Sequence, residues 1–186
     1  MSPEADMPAP DCDRRLAKLL SLNEIRELPY RYAAAVEARD VDAMAELFSP
    51  SARFGSYGDG PDGLRRMMAD RMSGSLFAVI LVANHLVEFV DDVRARGQVW
   101  AHCYAQERTD GFLEQLIRYE DTYEQVAGRW LFVQRRHRLW YGAVHSQSPL
   151  EQNAADWPRN QIGVGDIPLA DPEFAAWWQM RSKTDP

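Results

Sequence analysis

Four stretches rich in Val, Ile, Phe, Tyr and Trp, residues 76–92, 98–108, 112–126 and 130–141, follow one another with little but turn signals between them. The separators are Asp91-Asp92 with Gly97, Asp110-Gly111 and Ala127-Gly128. Long β-prone segments joined by such short polar or Gly-containing links form antiparallel hairpins, so the spacing predicts a four-stranded meander. The preceding residues have a helical period. Ser21 and Glu24 fit a capping box, with Leu20 able to staple to Ile25. Ile25, Leu28, Tyr32, Ala35 and Val36 then recur on a helical stripe. Pro29 falls inside that stripe, where it removes one backbone hydrogen bond and favours a kink. Asp40 can cap a short helix over Val41–Phe48, and a Gly-rich loop leads to a third helix over Leu64–Met72. Helices followed by a sheet give an α+β fold, in which a sheet curled around a helix leaves a cone that can be filled or can hold a ligand.

Composition agrees with one such domain. The chain has 186 residues, 46% of them hydrophobic and 26% charged, which is enough to build a core. Residues 1–13 read as a disordered tail, 14–142 as the domain, and 143–186 as an irregular, Pro-rich extension with a short amphipathic piece at Phe174–Met180. The longest apolar run, Leu76–Ala83, is far short of the roughly 20 residues a membrane helix needs. A net charge of −7 disfavours binding to nucleic acid. Two scattered cysteines, Cys12 and Cys103, suit a reducing compartment, and the N-terminus has no apolar signal segment, so the expected location is the cytoplasm.

Few motifs carry chemistry. The four histidines are far apart, without H-x-H or H-E-x-x-H spacing, so no metal is expected. No phosphate-binding loop or nucleophile elbow occurs, and Gly163-Val164-Gly165 follows no predicted strand, so no cofactor is expected. Acid–base chemistry or simple binding remains. Strict alternation along the first strand puts Val79, Leu81, Ala83, His85, Val87 and Phe89 on one face, with His85 its only polar member. A buried imidazole on a carboxylate has a fixed tautomer and raised basicity, as a general base requires. The second strand carries Trp100, His102 and Tyr104 on one face, and the third carries Tyr119, Asp121 and Tyr123. These are candidates to line a site, with Asp121 also able to pair with Arg118. On the fourth strand Arg135 and His137 share one face, and Arg136 the other.

Two segments resemble a known family. RYAAAVEARDVDAMAELFSPSARF, residues 31–54, and RYEDTYEQVAGRWLFVQRRHRLWY, residues 118–141, are similar to signatures of the SnoaL-like branch of the nuclear transport factor two-like superfamily. ANHLVEFV between them supplies a strand histidine. The resemblance covers roughly residues 15–141 and implies a cone-shaped α+β barrel with its helices packed in the curved sheet. Relatives include scytalone dehydratase, a hexachlorocyclohexane dehydrochlorinase, bile acid dehydratases, polyketide cyclases and ketosteroid isomerases. It implies a base at His85, an orienting acid at Glu37 (Glu where Asp is usual), and Tyr32 as a hydrogen-bond donor. The expected substrate is a medium-sized apolar ring compound, steroid- or polyketide-like, contacted by Trp100, His102, Tyr104, Tyr119 and Asp121. The expected reaction is elimination, with isomerisation second and non-catalytic binding, or protein interaction, as the rival. By analogy the chain is expected to form a homotrimer or homodimer.

Overall fold

The computed structural model describes residues 9–181. Helices α1 (Ala9–Glu37), α2 (Val41–Ala45) and α3 (Gly60–Ser73) precede strands β1 (Ser75–Phe89), β2 (Arg94–Glu107), β3 (Gly111–Val126) and β4 (Arg129–Val144). Two short helices, α4 (Asp166–Ala170) and α5 (Pro172–Arg181), lie in the C-terminal extension. The strands form one antiparallel sheet in the order β1-β2-β3-β4, as the turn signals predict. Ala127 and Gly128 form the β3–β4 turn with φ of 48° and 79°. A two-residue hairpin of this kind needs both central residues left-handed, which Gly tolerates freely and Ala does not.

The first helix departs from expectation. Residues 1–8 lie outside the described residues, but 9–13, expected as tail, already belong to α1. Ser21 therefore lies inside a helix and caps nothing. The stretch RRLAKLL is built of good helix formers with no breaker, so the helix continues outward without a core beneath it. Leu16, Leu19 and Leu20 are accordingly exposed. Pro29 stays within the helix and is fully buried. Asp40 does cap α2, accepting from the Ala43 N–H at 2.9 Å. That helix stops at Ala45 rather than Phe48, because Leu47 and Ser49 hydrogen-bond to Phe132 of β4 instead.

The sheet has an inner face toward α1–α3 and an outer face turned away. On β2 the inner positions are Ala95, Gly97, Val99, Ala101, Cys103 and Ala105, all small or medium-sized, so the helices can approach closely. On β1 the register slips between Val82, which faces Ala101, and His85, which faces Val99. This bulge places an extra residue in β1 and reverses its alternation. Ala78, Ile80 and Val82 point inward above it, and His85, Val87 and Phe89 below it. The predicted single stripe of odd positions is thus split, with Val79 and Leu81 on the outer face. Tyr123, Phe132 and Trp130 join Ile25, Leu28, Met44, Phe48 and Leu64 in the inner core.

A second apolar cluster joins the extension to one end of the sheet. It contains Leu76, Phe112, Leu150, Val164 and the fully buried Phe174, with Tyr104, Trp177 and Trp178 beside them. Arg39 ties this corner together. It donates to the Met72, Ser75 and Leu76 carbonyls and pairs with Glu173 of α5 at 3.1 Å. The extension is therefore docked rather than irregular over much of its length. Cys12 is exposed, Cys103 is buried, and both are free thiols.

Candidate active site

Between α3, the loop before it and the inner face of β3–β4 lies a cavity of about 760 Å³. Its apolar wall is Phe48, Phe54, Leu64, Met67 and Met68, and its polar wall is Tyr32, Tyr57, Tyr119, Arg53, Arg71, Arg135 and His137. Cross-strand pairing produces this arrangement. Tyr119 faces His137 and Asp121 faces Arg135, so four polar residues occupy neighbouring inward positions. A bulge in β4 near Val133 brings Arg135 and His137 into that phase.

Arg135 is the centre of the polar wall. Its side chain is only 4% exposed, and its guanidinium lies 3.9 Å from the Tyr119 ring centroid, 4.7 Å from Tyr32 and 4.9 Å from Phe132. Such stacking favours a guanidinium over an ammonium, because it is flat and weakly hydrated. Nη2 is 3.7 Å from the buried Asp121 carboxylate, while Nε and Nη1 have no hydrogen-bond partner. Burial raises the Tyr32 and Tyr119 phenols, against an opposing pull from Arg135, so both remain protonated donors at neutral pH. His137 shifts the other way. Partial burial and the nearby positive charges of Arg71 and Arg135 lower its pKa, while the residue as a whole stays exposed at the cavity rim.

Beneath Arg135 a polar chain leads away from the cavity. The Tyr123 hydroxyl donates to Asp121 at 3.1 Å and meets His85 Nε2 at 3.1 Å. Burial raises Asp121 to about 6 despite Arg135 and Tyr123. Burial lowers His85 to about 4, with Arg135 and Arg26 adding to the effect. The backbone of Arg26 pulls weakly in the opposite direction, but Nδ1 makes no hydrogen bond. Gly97 permits the His85–Tyr123 contact. A Cβ there would lie 2.8 Å from the Tyr123 hydroxyl and 3.0 Å from His85 Nε2.

A model of the SnoaL-like domain matches residues 17–136. The chain belongs to the SnoaL-like family. This SnoaL-like domain also resembles solved structures at low sequence identity. A type 2 hexachlorocyclohexane dehydrochlorinase is 19% identical, with a TM-score of 0.65 over 73% of this chain and 98% of that one. A type 3 dehydrochlorinase from Novosphingobium barchaimii is 20% identical, with a TM-score of 0.66 over 71% and 94%. A protein assigned as a scytalone dehydratase, from Novosphingobium aromaticivorans, is 16% identical, with a TM-score of 0.61 over 71% and 92%. Identities this low establish the shared fold alone. No curated protein matches the chain.

Within the SnoaL-like domain the expected site residues separate into three places. Tyr32 and Tyr119 line the cavity, and Asp121 lies just behind it. Glu37 and His85 are not a pair. His85 packs beside Arg26, whereas Glu37 is exposed at the far end of α1, about 16 Å further along at 1.5 Å per residue. Glu37 pairs with neither Arg31 nor Arg39, which bind Glu27 and Glu173 instead. Asp121 pairs with Arg135, not Arg118, which binds Glu120 across the outer face.

Trp100, His102 and Tyr104 point to the outer face, because they alternate with the inward Val99, Ala101 and Cys103. There Trp100 packs on Trp140, with ring centroids 5.6 Å apart, and His102 stacks on Tyr104. Glu114 accepts from His102 at 2.8 Å and from Tyr141 at 3.1 Å, and pairs with His145 at 2.9 Å. These residues are separated from the cavity by the thickness of the sheet. The site residues that sequence reasoning passed over are Arg135 and His137. Their shared face on β4, opposite Tyr119 and Asp121, was the available signal. Among the described residues no group of three or more His, Cys, Asp and Glu could hold a metal ion, and no helix is long and apolar enough to cross a membrane.

Proposed function

We propose that this domain binds a medium-sized, largely apolar ring compound in the Tyr32–Tyr119–Arg135–His137 cavity and acts on it by cofactor-free proton transfer. Elimination, as in a dehydratase-type lyase, is the first reading, and double-bond isomerisation by the same proton transfer is the second. The observation that carries it is an imidazole, His137, in one cavity wall together with two phenols held in their protonated form. His137 takes a proton from the carbon adjacent to the one that bears the leaving group, the C–H electrons become the new double bond between the two, and the bond to the leaving oxygen breaks. Tyr32 or Tyr119 donates a hydrogen bond to that oxygen as charge develops, and the imidazolium returns its proton to the departing hydroxide. The names of the similar structures, a dehydrochlorinase and a dehydratase, describe eliminations of the same general form.

Binding without catalysis is the second reading, and one observation favours it. Among the described residues no carboxylate is paired with His137, and Glu37 stands apart from His85. His137→Gln separates the two readings. Hydroxylated ring compounds are screened for the rise in ultraviolet absorbance that accompanies a new conjugated double bond. The proposal predicts a turnover loss of about 100-fold or more with little change in affinity. Undiminished turnover would remove His137 from the reaction, and a wild-type protein that binds members of the panel without converting any would favour the binding domain.

A further inference from the structure

We infer that the cavity selects ring compounds bearing an anionic group, a carboxylate being the simplest, and that Arg135 with Arg71 and Arg53 reads that charge. This inference rests on the cavity reading above and specifies its substrate class. Four arginines, Arg53, Arg71, Arg135 and Arg136, line the cavity, and no Asp or Glu is among the described residues lining it. The chain as a whole carries a net charge of −7, so this concentration of positive charge runs against the molecule's overall balance. After burial, the charges of Arg71 and Arg135 also lower the pKa of His137.

Arg135 supplies the specific recognition. It is buried, yet among the described residues Nε and Nη1 have no hydrogen-bond partner, and its one ionic contact, with Asp121, is a loose 3.7 Å. Unsatisfied charged donors in a buried site are costly unless a ligand completes them. Asp121 compensates the charge only loosely, since its carboxylate meets a single guanidinium nitrogen at 3.7 Å. Both nitrogens lie just beneath the cavity wall, so a ligand oxyanion at that wall answers the guanidinium's charge, while Tyr32 and Tyr119, already stacked on the guanidinium, fix its plane. Arg71 and Arg53 are exposed at the cavity wall and form no ion pair among the described residues, so they add longer-range attraction. The opposite wall of Phe48, Phe54, Leu64, Met67 and Met68 takes the apolar ring.

The test compares 2-naphthoate with its neutral analogue 2-naphthalenemethanol by calorimetry on the full chain at pH 7.5. The expected result is that naphthoate binds at least about tenfold tighter, with the gap narrowing as salt rises. Arg71→Gln and Arg53→Gln, both at exposed positions that leave the fold intact, should each reduce the naphthoate preference by about twofold to fivefold. Arg135→Gln should abolish the preference, with a circular dichroism spectrum confirming that the variant is folded. Equal affinity for the two probes overturns the anion inference while leaving ring binding in the cavity intact. Failure of both probes to bind overturns the cavity reading as well. An anion preference unchanged in all three variants locates the charge reader elsewhere and also overturns the inference.

Discussion

The two faces of the sheet carry similar residue types to different ends. On the outer face, His102, His145 and Tyr141 converge on Glu114, and every polar tip in that group finds a partner. On the inner face, Arg135 and His85 retain buried nitrogens without hydrogen bonds, and Asp121 keeps an unpartnered oxygen. A satisfied polar cluster serves structure, here at the edge where the extension docks. An unsatisfied one beside a cavity is, on the proposed reading, relieved by a ligand, although Arg118 on the outer face also keeps a buried Nε without a partner among the described residues. Histidine identity alone does not separate these cases, and the direction each side chain faces does.

The largest expected effect contrasts the cores behind the two faces. Phe132 and Phe174 are both fully buried. Phe132→Ala should lower the unfolding free energy of the whole domain by about 3–5 kcal/mol in urea denaturation. Phe174→Ala should instead release the extension, seen as rapid proteolysis after residue 144 with a smaller change in the domain's midpoint. If both variants shift the midpoint equally, the extension is an integral part of the core and the contrast fails.

The Asp121–Tyr123–His85 chain gives the next effect. Asp121 has a folded pKa raised to about 6, so its contribution to stability is present at low pH and is lost as pH rises through that value. His85 has a folded pKa lowered to about 4, so its contribution is present above pH 6.5 and is lost as pH falls toward 4. The two oppose each other between about pH 4 and 6. Removing one should expose the other. On acidification from pH 6 to pH 4, Asp121→Asn should lose stability faster than the wild type, and His85→Gln more slowly. Parallel profiles for all three proteins would show that neither group titrates abnormally.

The smallest effect lies at the β3–β4 turn, away from both faces. Ala127 holds φ at 48°, a conformation Asn adopts more readily. Ala127→Asn should stabilise the domain by about 0.5 kcal/mol, with the cavity residues unaffected. A loss of stability would mean that the turn is not the two-residue type described.

Much of the fold was legible because turn chemistry is local. Asp110-Gly111 and Ala127-Gly128 mark hairpins wherever they occur between β-prone runs, and the four strand ranges follow within a few residues. The bulge after Val82 was not legible, because nothing in Ala83-Asn84 distinguishes a bulge from regular strand. One extra residue reverses the alternation, so the face assigned to Val79 and Leu81 was wrong while that of Val87 and Phe89 was right. The site suffered more. Pairing Glu37 with His85 requires knowing how far along α1 the sheet crosses, a tertiary quantity that spacing does not encode. The outward turn of Trp100, His102 and Tyr104 was readable from their neighbours, since the small residues Ala95 to Ala105 had to face the helices. Tyr32 and Tyr119 fell in the cavity, and Arg135 and His137 entered it through a pairing register that only the folded sheet defines.

On the proposed function, chemistry belongs to the inner cavity at His137 and not to the other histidines. The most direct measurement is a nitrogen-15 NMR spectrum of the four imidazoles during titration with 2-naphthoate. The His137 signals should move with saturation while those of His102 and His145 stay in place. Saturable shifts confined to His102 and His145, or to His85, with His137 unmoved, would contradict it.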